Sequence, residues 1–110
     1  MELTGKAKVD FEKWFDDTHK HTMLLWGESV ENTGFYELTD SMKYGVYVDW
    51  FDSVGVEIIM KEVRSSTPNT NTIYRAVING SINTGSWKKS RPEARTAAIT
   101  KATELYNNRV

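Results

Sequence analysis

Two histidines are the strongest metal-ligand candidates in the sequence. His19 and His21 flank Lys20, and a His-x-His pair can supply two imidazole ligands to zinc or copper. Residues two apart at a helix end point their rings in different directions, and no third nitrogen or sulfur ligand accompanies them. We therefore expect no metal site and no cofactor, and we interpret both histidines as part of a solvated helix end.

A pair of carboxylates is the main candidate for acid–base chemistry. Asp49 and Asp52 are three residues apart, so on a helix they share a face and could act as acid and base or hold magnesium. The same spacing fits the hydrated side of an amphipathic helix, which we prefer. The chain has no cysteine, and it lacks serine-nucleophile, phosphate-binding and dinucleotide-binding motifs. We expect no enzyme, and a small hydrolase using the two aspartates is an alternative.

One group of positive charges precedes the last predicted helix. We call it the basic cluster, and it consists of Lys88, Lys89, Arg91 and Arg95. Unpaired N–H groups and the dipole at a helix start favour an anion, and neighbouring cations strengthen that preference. These residues are our candidate phosphate or nucleic-acid contacts. In the alternative interpretation the arginines pair with nearby acids and the lysines keep a loop soluble.

Length and composition narrow the protein class. The 110 residues with a formal charge of −1 predict a single domain over 1–110 and exclude a uniformly basic nucleic-acid coat. No long apolar segment is present, so we expect a cytoplasmic protein without a membrane partner. The four tryptophans, five tyrosines and four phenylalanines exceed what a minimal core needs. We expect part of them in an exposed interaction surface, with Trp26, Tyr36 and Trp87 as candidates.

Apolar spacing predicts two helices in the first half of the chain. The first covers 4–18 with Thr4 as its cap. The second starts at Asp40 or Ser41, ends at Gly55 and has a stripe of apolar residues. That stripe consists of Tyr47, Trp50, Phe51 and Val54. The β-branched and aromatic content of 44–50 favours a strand as the alternative. The residues between the helices predict a long loop with a short strand at 35–38.

The second half predicts three strands and a helix. The strands are expected at 56–63, 72–78 and 81–87, with a polar connection at 65–71 and a tight turn at 79–80. The last helix starts with a capping box of Ser90 and Glu93. Its predicted stripe is Ala94, Ala98, Ala102 and Leu105, with Ile99 and Tyr106 at the edge. The element order α-α-β-β-β-α predicts an α+β fold in which a three-stranded antiparallel meander packs on helices.

The carboxy-terminal part resembles double-stranded RNA-binding domains. The residues concerned are 74–80, 85–89 and 93–98, so the resemblance covers roughly the last 35 residues. It implies a strand–turn–strand–helix shape, in which the basic start of the helix faces phosphates of the RNA major groove. Arg91 and Arg95 would take such positions, with Lys88 and Lys89 just ahead of them.

The whole chain more closely resembles small uncharacterised proteins of Bacteroidota and their bacteriophages, including crAss-like phages. Residues 3–6, 11–14, 41–55 and 91–106 carry this resemblance. It implies an accessory protein of a phage or mobile element that acts in the cytoplasm of a bacterial host. No catalytic motif or cofactor is implied.

We therefore expect a non-enzymatic protein that binds a host or phage protein or a defence-related molecule. This expectation depends on the aromatic excess, the long loop and the absence of catalytic motifs. A homodimer would use the same kind of exposed surface. The alternative is a module that binds duplex RNA or DNA through the basic cluster.

Overall fold

Seven elements follow one another in the part of the chain that the structure describes. The computed structural model describes residues 1–19, 34–64, 72–85 and 87–109. In order, they are α1 (Gly5–His19), a 3-10 helix (Phe35–Glu37), α2 (Asp40–Ser53), β1 (Ile58–Val63), β2 (Ile73–Ile78), β3 (Ile82–Asn83) and α3 (Arg91–Asn107). The α+β class is confirmed. Most of the predicted loop and the whole connection at 65–71 lie outside the described residues.

The first turn of α1 is held by a residue from the far end of the chain. Thr4 precedes the helix as predicted, but its hydroxyl is not the capping group. The Ala7 N–H donates to Asn107 Oδ1 at 2.7 Å, and Asn107 Nδ2 donates to the Thr4 carbonyl at 2.9 Å. Gly5 has a φ of +59°, and a Cβ there would lie 3.0 Å from Asn107 Nδ2. One carboxamide thus joins the start of α1 to the end of α3.

The segment before α2 forms a 3-10 helix, so the short strand predicted at 35–38 is wrong. The Leu38 N–H donates to the Phe35 carbonyl at 3.1 Å, and the segment therefore satisfies its backbone within one turn instead of pairing with a strand. The turn carries the Phe35 ring into the protein interior, where it is 4% exposed.

The predicted second helix is confirmed as α2, and the alternative strand over 44–50 is not formed. The hydroxyl of Thr39 accepts the Met42 N–H at 3.3 Å, so the expectation of Asp40 or Ser41 as the cap is wrong. The predicted stripe is buried or half-buried, and it consists of Tyr47, Trp50, Phe51 and Val54. A helix places these residues on one side, whereas a strand would divide them between two faces.

The sheet consists mainly of two antiparallel strands. β1 and β2 pair along their whole length, from Ile58↔Ile78 to Val63↔Ile73. The predicted turn after β2 is present, with a φ of +53° at Asn79 and +79° at Gly80. The full strand expected over 81–87 is not formed: β3 has only two residues. Gly85, with a φ of +107°, interrupts the extended backbone before an isolated bridge between Tyr74 and Lys88.

The last helix, α3, begins as its capping box predicts. Ser90 Oγ accepts the Glu93 N–H at 3.4 Å. Its buried side chains are Ala94, Ala98, Ile99, Ala102, Thr103 and Tyr106. Ile99 and Tyr106 therefore belong to the buried face and Leu105 is only half-buried, which corrects the predicted stripe. The small alanines let the helix lie close to the sheet, and the two larger side chains fill the space on either side.

Phe11 is at the centre of a cluster of rings that we call the aromatic core. Its neighbours, with ring centroids 5.0–5.9 Å away, are Trp14, Phe15, Phe35, Tyr47 and Trp50. Trp50 also contacts Tyr106 of α3 at 5.0 Å. All aromatic side chains of the described residues are buried or half-buried. Tyr74 and Trp87 are half-buried outside the hydrophobic core, so the expectation of aromatic side chains beyond the core stays a prediction.

The clamp formed by Asn107 leads to a stability prediction. We expect Asn107→Ala to lower the free energy of unfolding by about 1–2 kcal/mol, because two hydrogen bonds and the cap of α1 are lost together. Urea unfolding followed by circular dichroism measures this. Asn108→Ala is the matched control, since that side chain is exposed. Equal losses in the two variants would mean that the clamp contributes nothing.

A second prediction concerns the Tyr47 hydroxyl, which is buried without a hydrogen-bond partner. Burial, with smaller contributions from nearby carboxylates, raises the pKa of Tyr47 from 10.0 to about 12. The free energy of unfolding is therefore independent of this group's ionisation below pH 10. It falls as the pH rises from 10 toward 12, because the phenol of the unfolded chain loses its proton first. We expect Tyr47→Phe to be about 1 kcal/mol more stable at neutral pH and to lose less stability in that range. Parallel alkaline losses in urea unfolding would contradict this.

Candidate binding surface

The sheet has one face toward the helices and one face away from them. Ile58, Ala76 and Ile78 belong to the core, and Met60 packs against it. Side chains alternate along a strand, so the intervening residues point to the opposite side. We call that side the outer sheet face, and it consists of Ile59, Lys61, Val63, Ile73, Arg75 and Val77. The ladder pairs them as Ile59↔Val77, Lys61↔Arg75 and Val63↔Ile73.

Apolar side chains lie at both ends of the outer sheet face. Ile59 and Val63 are each 45% exposed, whereas Val77, opposite Ile59, is only 4% exposed. Ile73, opposite Val63, is half-buried. The exposed apolar side chains of this face are therefore Ile59 and Val63, one near each end of β1.

A cation stacked on an indole lies in the middle of this face. The guanidinium carbon of Arg75 is 4.4 Å from the centroid of the Trp87 ring. The Arg75 Nε atom is buried and has no hydrogen-bond partner. Water is therefore partly removed from this positive charge, which strengthens its interaction with any anion that reaches it.

A second positive charge lies directly opposite the first. Lys61 and Arg75 are cross-strand partners, and like charges at such positions repel each other. Neither residue has an ion pair within the described ranges of the chain. The outer sheet face thus combines a positive centre with apolar ends, and an acidic group on a partner would relieve the repulsion.

The arginines of the basic cluster make structural contacts. Arg91 Nη2 lies 2.9 Å from Glu62 Oε2, and its guanidinium is 5.5 Å from the centroid of the Tyr74 ring. The hydrogen bond to Glu62, with its charge, raises the pKa of Arg91. The Arg95 guanidinium lies 5.7 Å from the Tyr44 ring. The alternative interpretation, in which an arginine of the cluster pairs with an acid, thus holds at Arg91. This ion pair joins the start of α3 to β1 at the edge of the sheet.

The lysines of the basic cluster differ from each other. Lys88 is half-buried and exchanges two backbone hydrogen bonds with Tyr74, while Lys89 is exposed. The groove beside them is lined by Lys88, Pro92, Glu93, Thr96 and Ala97. It places a carboxylate next to the lysine. Of the four cations in the basic cluster, only Lys88 lines this groove.

Two of the three predicted aromatic candidates, Tyr36 and Trp87, are described by the structure, and they make different contacts. Tyr36 is half-buried beside Phe35, with ring centroids 5.4 Å apart. Trp87 is half-buried under Arg75 and belongs to the edge of the outer sheet face. Trp26 lies outside the described residues. Trp87 is thus the candidate that the structure places at the outer sheet face, next to Arg75.

The described residues predicted as candidates for acid–base chemistry or metal binding do not belong to the outer sheet face. Asp49 and Asp52 are exposed on α2. His19 is the last residue of α1, and His21 lies outside the described residues. Within the ranges that the structure describes, no group of three His, Asp or Glu side chains could hold a metal ion. In those same ranges, no helix has the length and apolar character to cross a membrane.

Comparisons with family models, with curated proteins and with solved structures found no match to this chain.

Sequence reasoning did not identify Ile59, Lys61, Val63 or Arg75 as a joint surface. The available signal was the alternation in both strands, with a cation in the middle of each. That signal does not give the register, and only the register places Lys61 opposite Arg75.

The repulsion on this face leads to a third prediction. We expect Lys61→Gln to raise the free energy of unfolding by about 0.3 kcal/mol at low salt, because a like charge opposite Arg75 is removed. High salt should reduce the gain by screening. Lys101→Gln is the control, because Lys101 lies 3.4 Å from the Glu104 carboxylate and should lose stability slightly. A loss for Lys61→Gln in urea unfolding at low salt would contradict the prediction.

Proposed function

We propose that this protein is a non-enzymatic binding protein that holds an acidic, partly apolar segment of another protein on its outer sheet face. The observation that carries this proposal is the cationic centre between exposed Ile59 and Val63, which has no ion pair among the described residues. The resemblance to phage proteins of Bacteroidota supports a host or phage protein in the bacterial cytoplasm as the partner class.

Charge and apolar surface together favour a protein partner. An aspartate or glutamate placed between Lys61 and Arg75 would relieve the repulsion between these two cross-strand cations. Apolar side chains on either side of the acid would cover Ile59 and Val63 and remove their exposed area from water. Charged hydrogen bonds in such a desolvated centre contribute strongly to recognition.

A nucleic-acid partner fits the same surfaces less well. Single-stranded nucleic acid needs free aromatic faces for base stacking, and the Arg75 guanidinium covers one face of Trp87. Duplex binding needs free cations at the start of α3, where Glu62 pairs with Arg91. We therefore make nucleic-acid binding an outcome of the test.

The test selects short random peptides displayed on a surface for binding to the whole protein. We expect the selected peptides to contain Asp or Glu flanked by apolar residues. Their affinity, measured by fluorescence anisotropy, should fall at least about tenfold in Arg75→Met and in Val63→Ser. Arg75→Met keeps an unbranched apolar side chain over Trp87 while removing the charge, so the fold is retained.

The matched control is Arg95→Met, because Arg95 also contacts a ring but belongs to α3. Its peptide affinity should not change. Basic or uncharged selected peptides would overturn the proposal. Binding of duplex RNA that depends on Arg91 and Arg95 and competes with the peptides would replace it with the nucleic-acid alternative.

A further inference from the structure

The edge of β1 that does not pair with β2 is unoccupied by any strand in the described ranges of the chain. The backbone hydrogen bonds show which residues of β1 direct their N–H and C=O groups toward this free edge. Asn79 donates its N–H to the Glu57 carbonyl at 2.8 Å, so the backbone of Glu57 points toward β2. Because this direction alternates along an antiparallel strand, Ile59, Lys61 and Val63 also point toward β2.

The other residues of β1 direct their backbone groups outward. These residues are Ile58, Met60 and Glu62. Tyr74 confirms the alternation, because it lies opposite Glu62 in the ladder but exchanges its N–H and carbonyl bonds with Lys88, at 2.8 and 2.7 Å. Free strand edges of this kind are templates for pairing with another strand.

We propose that two copies of this chain pair through these edges, antiparallel and centred on Ile59, to form one continuous sheet. In this register Ile59 faces the partner's Ile59, and Glu57 faces the partner's Lys61. Two ion pairs then flank an apolar contact on the outer side of the sheet. The inference does not depend on the proposed function, and the two compete, because the dimer would use Ile59 and Lys61 of the same face.

The backbone directions agree with this register. The hydrogen-bonding pair is Ile58 with the partner's Met60, and both residues present their N–H and carbonyl groups at the free edge. Ile59 is a non-hydrogen-bonded position on that edge, where opposite side chains approach most closely. Its 45% exposed side chain would be covered by the identical residue.

Charge pairing favours this register over its neighbours. Residues that face each other across the two copies must have their side chains on the same face of the sheet. The symmetric pairing can therefore be centred on a residue but not between two residues. Centring on Lys61 places two lysines opposite each other, and centring on Met60 places Lys61 opposite an isoleucine. Only the register centred on Ile59 brings Glu57 and Lys61 together.

The test is sedimentation equilibrium of the whole protein over a wide concentration range. We expect the unchanged chain to form a dimer, and Lys61→Glu and Glu57→Lys each to raise the dimer dissociation constant at least about tenfold. The double variant Glu57→Lys/Lys61→Glu should restore dimerisation, because the opposite charges face each other again. Lys61→Glu should fold, since it places a carboxylate opposite Arg75. Lys101→Glu is the control on α3 and should leave the dissociation constant unchanged.

Amide hydrogen exchange measured residue by residue provides a second readout. Protection of the Ile58 and Met60 amides should increase with protein concentration, while the Lys61 amide, already bonded within the sheet, should not respond. A monomer at all concentrations would overturn the proposal. A dimer that is unaffected by both single charge reversals, or not restored by the double variant, would overturn it as well.

Discussion

The packing of Phe11 among five other rings is the interaction on which the rest of the structure depends. These rings come from α1, the 3-10 helix and α2, and Trp50 extends the contact to Tyr106 of α3. The aromatic core lies on the helical side of the sheet, whereas the outer sheet face has branched aliphatic residues, two cations and, at its edge, Trp87.

The same arrangement explains why the clearest electrostatic pattern in the sequence contributes to the fold. The buried alanine face of α3 packs on the protein core, and Arg91 joins the start of this helix to the sheet through Glu62 and the Tyr74 ring. Positive charge used in this contact is less available to a phosphate, whereas Lys61 and Arg75 have no acidic partner among the described residues.

Local patterns predicted the three helices because each has an apolar stripe of helical spacing and recognisable ends. One expected detail failed because a distant residue supplied the missing group, and others failed for local reasons. Asn107 caps α1 from a hundred residues away, so no short-range pattern could indicate it. The strand predicted at 35–38 became a 3-10 helix because it has a local hydrogen bond and buries Phe35. The third strand is short because Gly85 departs from the extended conformation.

By itself, the sequence determined the helix positions, the β-strands before and after the connection, the turn at Asn79 and Gly80 and the presence of many aromatic residues. These features depend on periodicity and on local backbone preferences, which are encoded within a few neighbouring residues. The tertiary structure decided which cations of the described residues form ion pairs and which face of the sheet packs against the helices. Those outcomes depend on the register of β1 against β2 and on the side to which the helices pack, because both join residues that are far apart in the chain.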